Sequence, residues 1–217
     1  MNKSFTLMNN NKKSLIGLIV FLGAPFLLKF LHIENILLRE VGMWLLLLFF
    51  IILWIYFVEK RTIASIGWKK VTVKTIFGGI GLGLVAFILF GISNVVIQTI
   101  GLELNQEVGE LFASQTFIVL LLISLRAAVV EEVLYRGYAF ERINELTKSK
   151  WIAALVPVII FMLMHLSWGV GHLVFVFFAG GLFMLVYISK RNLGLVMIAH
   201  FVTDVIAMLV LPMMLEA

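Results

Sequence analysis

Three short motifs in this sequence have the residue types and spacing to do chemistry. Glu131-Glu132-Val133-Leu134-Tyr135-Arg136 sets two adjacent carboxylates and a guanidinium at the end of an apolar run, Thr116 to Val130. His165 follows Phe161 on the same helical face, and His200 precedes Asp204 at the same i, i+4 spacing. Carboxylates and imidazoles are common carriers of general acid–base catalysis, and both also ligate metals. On an α-helix Glu132 and Arg136 are i and i+4 with the acid first, the favourable order for an ion pair. Glu131 is rotated about 100° away from Glu132, at 3.6 residues per turn, and so faces a different neighbour. This division makes Glu132 and Arg136 structural and leaves Glu131 for chemistry, as a base with no cation beside it. His200 and Asp204 share a face, which allows either an oriented imidazole–carboxylate pair or two ligands to one metal. Arg126 lies about 140° from Glu131 on the same helix and reads as a packing or snorkelling residue.

The elements that must position these groups are helices in lipid. The composition is 62% hydrophobic and only 13% charged, against about 25% charged in soluble domains. That excludes a soluble domain and points to an all-α, polytopic transmembrane helix bundle. There is no cysteine, so disulfides and thiol catalysis are excluded. The net charge of +5 fits Lys and Arg anchoring loops at a bilayer and gives no reason to expect nucleic acid. Seven apolar runs are candidates to span: Leu15–Phe30, Val41–Val58, Thr75–Ile100, Thr116–Leu134, Trp151–Leu166, His172–Ser189 and Leu193–Leu211. The first reads as a retained helix, because no clear small-residue cleavage site follows it. With the N-terminus inside, Lys3, Lys12, Lys13, Lys60, Arg61, Lys69, Lys70, Lys74, Arg136, Arg142, Lys148, Lys150, Lys190 and Arg191 fall on the cytoplasmic side. Lys29 and Arg39 alone fall opposite, together with an acidic 101–115 loop holding Glu103, Glu107 and Glu110. This bias predicts seven spans, N-in and C-out; the location expected for the chain is the bacterial cytoplasmic membrane. Gly78-Gly79-Ile80-Gly81-Leu82-Gly83 lacks the strand a nucleotide loop needs. Gly79 and Gly83 read instead as a small-xxx-small face for helix packing.

A charge near the centre of a bilayer costs roughly 2.5–3.5 kcal/mol. Ionisable groups on several helices therefore point to one shared interior site, in a water-filled cavity expected to open to the cytoplasm and reach mid-membrane. The depths strain this picture. Glu131 sits near the cytoplasmic end of its expected span, whereas His165 falls roughly 22 Å beyond Lys150 along a straight helix. Acidic and histidine groups in spans also form proton relays, so a proton-coupled membrane transporter fits such a site. No internal repeat is visible, which counts against a transporter.

Glu131-Glu132-x-x-x-Arg136-Gly137, Phe161-x-x-x-His165 and His200-x-x-x-Asp204 together resemble the three motifs of the CPBP family. These are the type II CAAX prenyl endopeptidases and the related Abi, bacteriocin-processing and self-immunity proteins. The resemblance runs from about Arg126 to the C-terminus. It divides one integral membrane domain into motif-free helices over 1–115 and a catalytic core over 116–217. It implies an intramembrane endopeptidase acting on a membrane-associated peptide or protein, with a non-catalytic self-immunity or scaffold protein that keeps the motif as the alternative. In it Glu131 and His165 activate water, and His200 and Asp204 stabilise the oxyanion. Asp204 cannot donate to an oxyanion unless protonated, which suits it better to a metal ligand or a partner of His200. A zinc site would draw on Glu132, His165, His200 and Asp204, but the compact HExxH signature is absent. A glutamate–histidine scheme needs no metal and is the preferred expectation. Substrate identity and oligomeric state are not legible.

Overall fold

The computed structural model describes residues 3–102 and 106–210. Glu103 and Leu211, named above, lie outside them. Among the described residues all regular structure is helical. The helices are α1 (Lys3–Leu28), α2 (Leu38–Val58), α3 (Val73–Thr99), α4 (Gln106–Ala113), α5 (117–147), α6 (Lys150–Met164), α7 (Val170–Lys190) and α8 (193–210).

Side chains set several of the helix starts. The hydroxyls of Thr72, Thr116 and Ser149 and the amide oxygen of Asn192 accept from the backbone N–H three residues on, capping α3, α5, α6 and α8. Lys148 and Arg191 adopt left-handed backbone, φ 57° and 46°, and end α5 and α7. The chain therefore runs up and down between two ends. The 29–37 and 165–169 connections and α4 lie at one end, where Phe112 rests against Trp168. The 59–72, 148–149 and 191–192 connections lie at the other, which also carries most of the Lys and Arg.

Each of the seven expected spans coincides with a helix. Among the described residues, four helices are long and apolar enough to cross a membrane: Asn10–Leu28, Leu38–Val58, Val73–Thr99 and Val170–Lys190. Lys150–Met164 and Leu193–Leu209 are apolar but shorter. Gly79 and Gly83 pack α3 on α8 as expected. A Cβ at Gly79 would stand 2.7 Å from Ile198, and one at Gly83 2.7 Å from the Ala199 carbonyl. The hydroxyl of Thr203 on α8 donates to the Gly83 carbonyl at 3.1 Å, so this contact also fixes the helix that carries His200.

The fourth helix departs from expectation in two ways. It does not stop at Leu134 but continues to Thr147, with Tyr138, Phe140 and Arg142 fully buried. The low hydropathy of 136–145 hides this continuation, because its charges are neutralised in pairs rather than exposed. The depth conflict then disappears: Glu131 lies near the middle of α5, not at its end. Second, Ala127–Ala139 is wound as a π-helix, in which hydrogen bonds step five residues instead of four. The core forms around this stretch, where Val133, Leu134, Tyr135 and Tyr138 pack with Leu18 and Phe21 of α1 and Ile51 and Ile55 of α2.

Candidate active site

The π-helix decides which side chains of α5 meet. A five-residue step brings Arg126 and Glu131 into register, and Arg126 Nη1 donates to Glu131 Oε1 at 2.7 Å. This corrects both sequence expectations for this pair, which assumed an α-helical 3.6-residue turn. Arg126 is not a snorkelling residue, and Glu131 does have a cation beside it. The other arm of Arg126 reaches Glu40 Oε2 at 3.4 Å, and its guanidinium lies over the Trp44 ring at 5.0 Å. Glu132 and Arg136 pair at 2.7 Å, as their spacing predicts. Arg136 also donates to the Gly180 carbonyl at 3.0 Å and lies over the Phe161 ring.

Helices α6 and α8 bring the histidines. His165 is the residue after the last turn of α6, and its Nδ1 is 2.8 Å from the Phe161 carbonyl. A carbonyl only accepts, so Nδ1 carries the proton and Nε2 is left with its lone pair. His200 is buried on α8. Its Nδ1 is 2.8 Å from Glu132 Oε1, and its Nε2 is 3.5 Å from Asp204 Oδ2. Glu132 is therefore the residue that orients His200, in addition to pairing with Arg136. The longer Asp204 contact is too loose to satisfy Nε2 fully.

Glu131, His165, His200 and Asp204 all line one cavity of about 730 Å³. Glu132 and Arg136 do not line it. Their place is behind the cavity wall. The cavity lies at the end of the bundle with the 29–37 and 165–169 connections, and Lys29, Glu40, Phe112 and Trp168 also line it. This corrects the expectation of a cavity opening beside the basic loops, which lie at the other end. Its wall draws on the first half of the chain, which the motifs do not reach. Nothing in the sequence marks Glu40 or Trp44 for this place, because their contacts form only when α2 packs on α5. His172 also lines the cavity, stacked on Trp168 at 4.9 Å.

Among the described residues, four of the five buried polar atoms lacking a protein partner are here, Arg126 Nε, Glu132 Oε2, Tyr135 Oη and Arg136 Nε, and the fifth is Trp54 Nε1. Among the described residues no three His, Cys, Asp or Glu side chains stand together as a metal site would require. Glu132, one of the four residues considered for zinc, already gives Oε1 to both Arg136 and His200. The donor set as arranged does not fit a catalytic zinc with three protein ligands. What the arrangement can do is acid–base chemistry on a group held in the cavity, which the His165 imidazole and the Glu131 carboxylate both face.

No curated protein and no solved structure significantly matches the chain. A family model does: residues 113–206 match the one described as type II CAAX prenyl endopeptidase Rce1-like. The matched segment holds all three motifs and ends two residues beyond Asp204. It implies intramembrane endopeptidase activity of the CAAX type, and with it a membrane-embedded peptide substrate and a lipid environment. The motifs and the 113–206 match thus agree in what this part of the chain is similar to: the type II CAAX prenyl endopeptidases.

Proposed function

We propose that the chain is an intramembrane endopeptidase that hydrolyses a peptide bond of a membrane-associated polypeptide without a metal ion. Glu131 and His165 activate the attacking water, and His200 stabilises the oxyanion. The observation that carries this reading is the 2.8 Å contact of His165 Nδ1 with the Phe161 carbonyl. The Nδ1–H is committed to the Phe161 carbonyl, which leaves Nε2 as an acceptor at the wall of a cavity that Glu131 shares. In the catalytic step, water gives a proton to this pair and its oxygen bonds to the scissile carbonyl carbon. The carbonyl π electrons move to oxygen, which His200 meets with an Nε2–H. Collapse of the tetrahedral intermediate breaks the C–N bond, and the amine leaves with the proton returned from the Glu131–His165 pair.

In this scheme Asp204 is a partner of His200 and not an oxyanion donor. Carboxylates of Glu132 and Asp204 face the two ring nitrogens, and both ring N–H groups can donate when the ring is doubly protonated. Arg126 holds one oxygen of Glu131 and steers the carboxylate into the cavity.

The test is cleavage of a quenched fluorescent peptide set by purified protein in detergent or liposomes. Glu131→Gln and His165→Ala are each expected to lower turnover by roughly 10²–10⁴-fold, the usual worth of a positioned acid–base group. Chelator is expected to change nothing. Full activity in both variants would sink the assignment, and loss of activity on chelation that zinc restores would replace it with a metal mechanism.

A further inference from the structure

The cavity and the basic loops lie at opposite ends of the bundle, and this bears on which side of the membrane the site serves. We propose that the site is open to the extracytoplasmic face, and that its substrate is a polypeptide whose scissile bond lies at the outer leaflet. The substrate half rests on the proteolytic reading above, while the access half is independent of it.

The orientation comes from charge. Lys60, Arg61, Lys70, Lys148, Lys150 and Arg191 sit in short connections at or next to helix ends on one side. Lys and Arg so placed hold an end in the cytoplasm. The cavity end has Lys29 and Arg39, offset by Glu34, Glu40 and Glu110.

Access comes from packing. At the cavity end the wall reaches the 111–113 and 165–169 segments, which lead out of the bundle. Toward the basic end the interior is closed. Tyr138, Phe140, Arg142 and Tyr187 are 0% exposed. Arg142 is tied to Glu59 at 2.7 Å, and Tyr138 Oη donates to the same carboxylate at 2.9 Å. A chain entering from the cytoplasm would have to break a buried ion pair to reach Glu131. One delivered at the outer leaflet meets an open cavity walled by Trp44, Phe112, Trp168 and Phe175, suited to an apolar residue beside the scissile bond. A prenylated tail made and held in the cytoplasm would present its bond at the wrong end.

The chain has no cysteine, so single cysteines report access without background. Ser114→Cys marks the cavity end, Ala207→Cys the cavity wall and Thr62→Cys the basic end, and none of the three has a part in the proposed chemistry. Full-length protein in right-side-out and inverted vesicles is treated with a membrane-impermeant maleimide. The expected result is labelling at Ser114→Cys and Ala207→Cys in right-side-out vesicles, lost in inverted ones, and the reverse for Thr62→Cys. The reverse pattern at Ser114→Cys and Thr62→Cys overturns the orientation. Labelling of Ala207→Cys only in inverted vesicles overturns the access.

Short quenched fluorescent peptides with apolar residues at the scissile bond then test the substrate half. Cleavage by right-side-out vesicles alone supports it, and cleavage by inverted vesicles alone overturns it while leaving the protease intact. Expected labelling with no cleavage from either face overturns the proteolytic reading, and the substrate with it, but not the access.

Discussion

Arg126, Glu131, Glu132 and Arg136 occupy one stretch of α5, and Tyr138, Glu141 and Arg142 occupy the next. Both stretches bury charge in a bundle with little of it, yet they are built differently. In the second, the Glu59 carboxylate takes Tyr138 and Ser14 on one oxygen and Arg142 on the other. Arg142 spends its remaining donors on the hydroxyl and carbonyl of Ser65. Glu141 accepts from the Tyr187 hydroxyl at 2.7 Å and pairs with Arg191. These carboxylates and the Arg142 guanidinium are matched donor to acceptor. In the first stretch, four polar atoms lack protein partners and a cavity lies alongside. Saturation makes a clamp, which ties α5 to the α2–α3 connection and to α7. Incomplete satisfaction beside a cavity leaves groups available to a substrate, at some cost in stability.

This contrast can be broken by experiment. The largest stability effect is expected at the clamp. Arg142→Ala leaves the buried Glu59 unpaired, and removal of one partner from a buried pair costs about 3–5 kcal/mol. It should appear as a large drop in the thermal midpoint in detergent, whereas Glu131→Gln, which leaves Arg126 its Glu40 contact beside the cavity, should lower the midpoint much less. A stable Arg142→Ala protein would show that the clamp does not hold α5. Arg126→Gln comes next. Its site is lined by a cavity, so the stability loss should be smaller, about 1–2 kcal/mol, and the fall in turnover should exceed it. Equal stability losses for Arg126→Gln and Arg142→Ala would erase the distinction between the two stretches.

Gly83→Ala probes the contact that carries His200 to the site. The new methyl would meet the Ala199 carbonyl at 2.7 Å, and overpacking of this kind costs about 1–3 kcal/mol. Gly81→Ala on the same helix has nothing within 4 Å of its new Cβ and is the control. The smallest effect is expected at the other end of the clamp. Glu141→Gln can keep the Tyr187 hydrogen bond but loses the charge facing Arg191, whose side chain is 42% exposed. A pair so open to water contributes about 0–1 kcal/mol, so melting curves should show a shift smaller than that of Gly83→Ala.

Much of the molecule was readable from residue order. The helix positions follow from apolar runs, because lipid requires every backbone group to be satisfied within its own segment. The Glu132–Arg136 pair and the Gly79–Gly83 face follow from i, i+4 geometry. The Rce1-like motifs stand in the sequence as written. The Arg126–Glu131 pair was not readable, because it depends on a π-helical winding that no local pattern announces. Nor were the burial of 138–143, the role of Glu59, or the entry of Glu40 and Trp44 into the cavity wall. Each depends on which helix packs against which, and long-range packing leaves no period in the sequence. Residue order determined which groups are available for chemistry and which helices carry them. Tertiary packing decided that Glu131 has Arg126 beside it, that Glu132 holds His200, and at which end of the bundle the cavity lies.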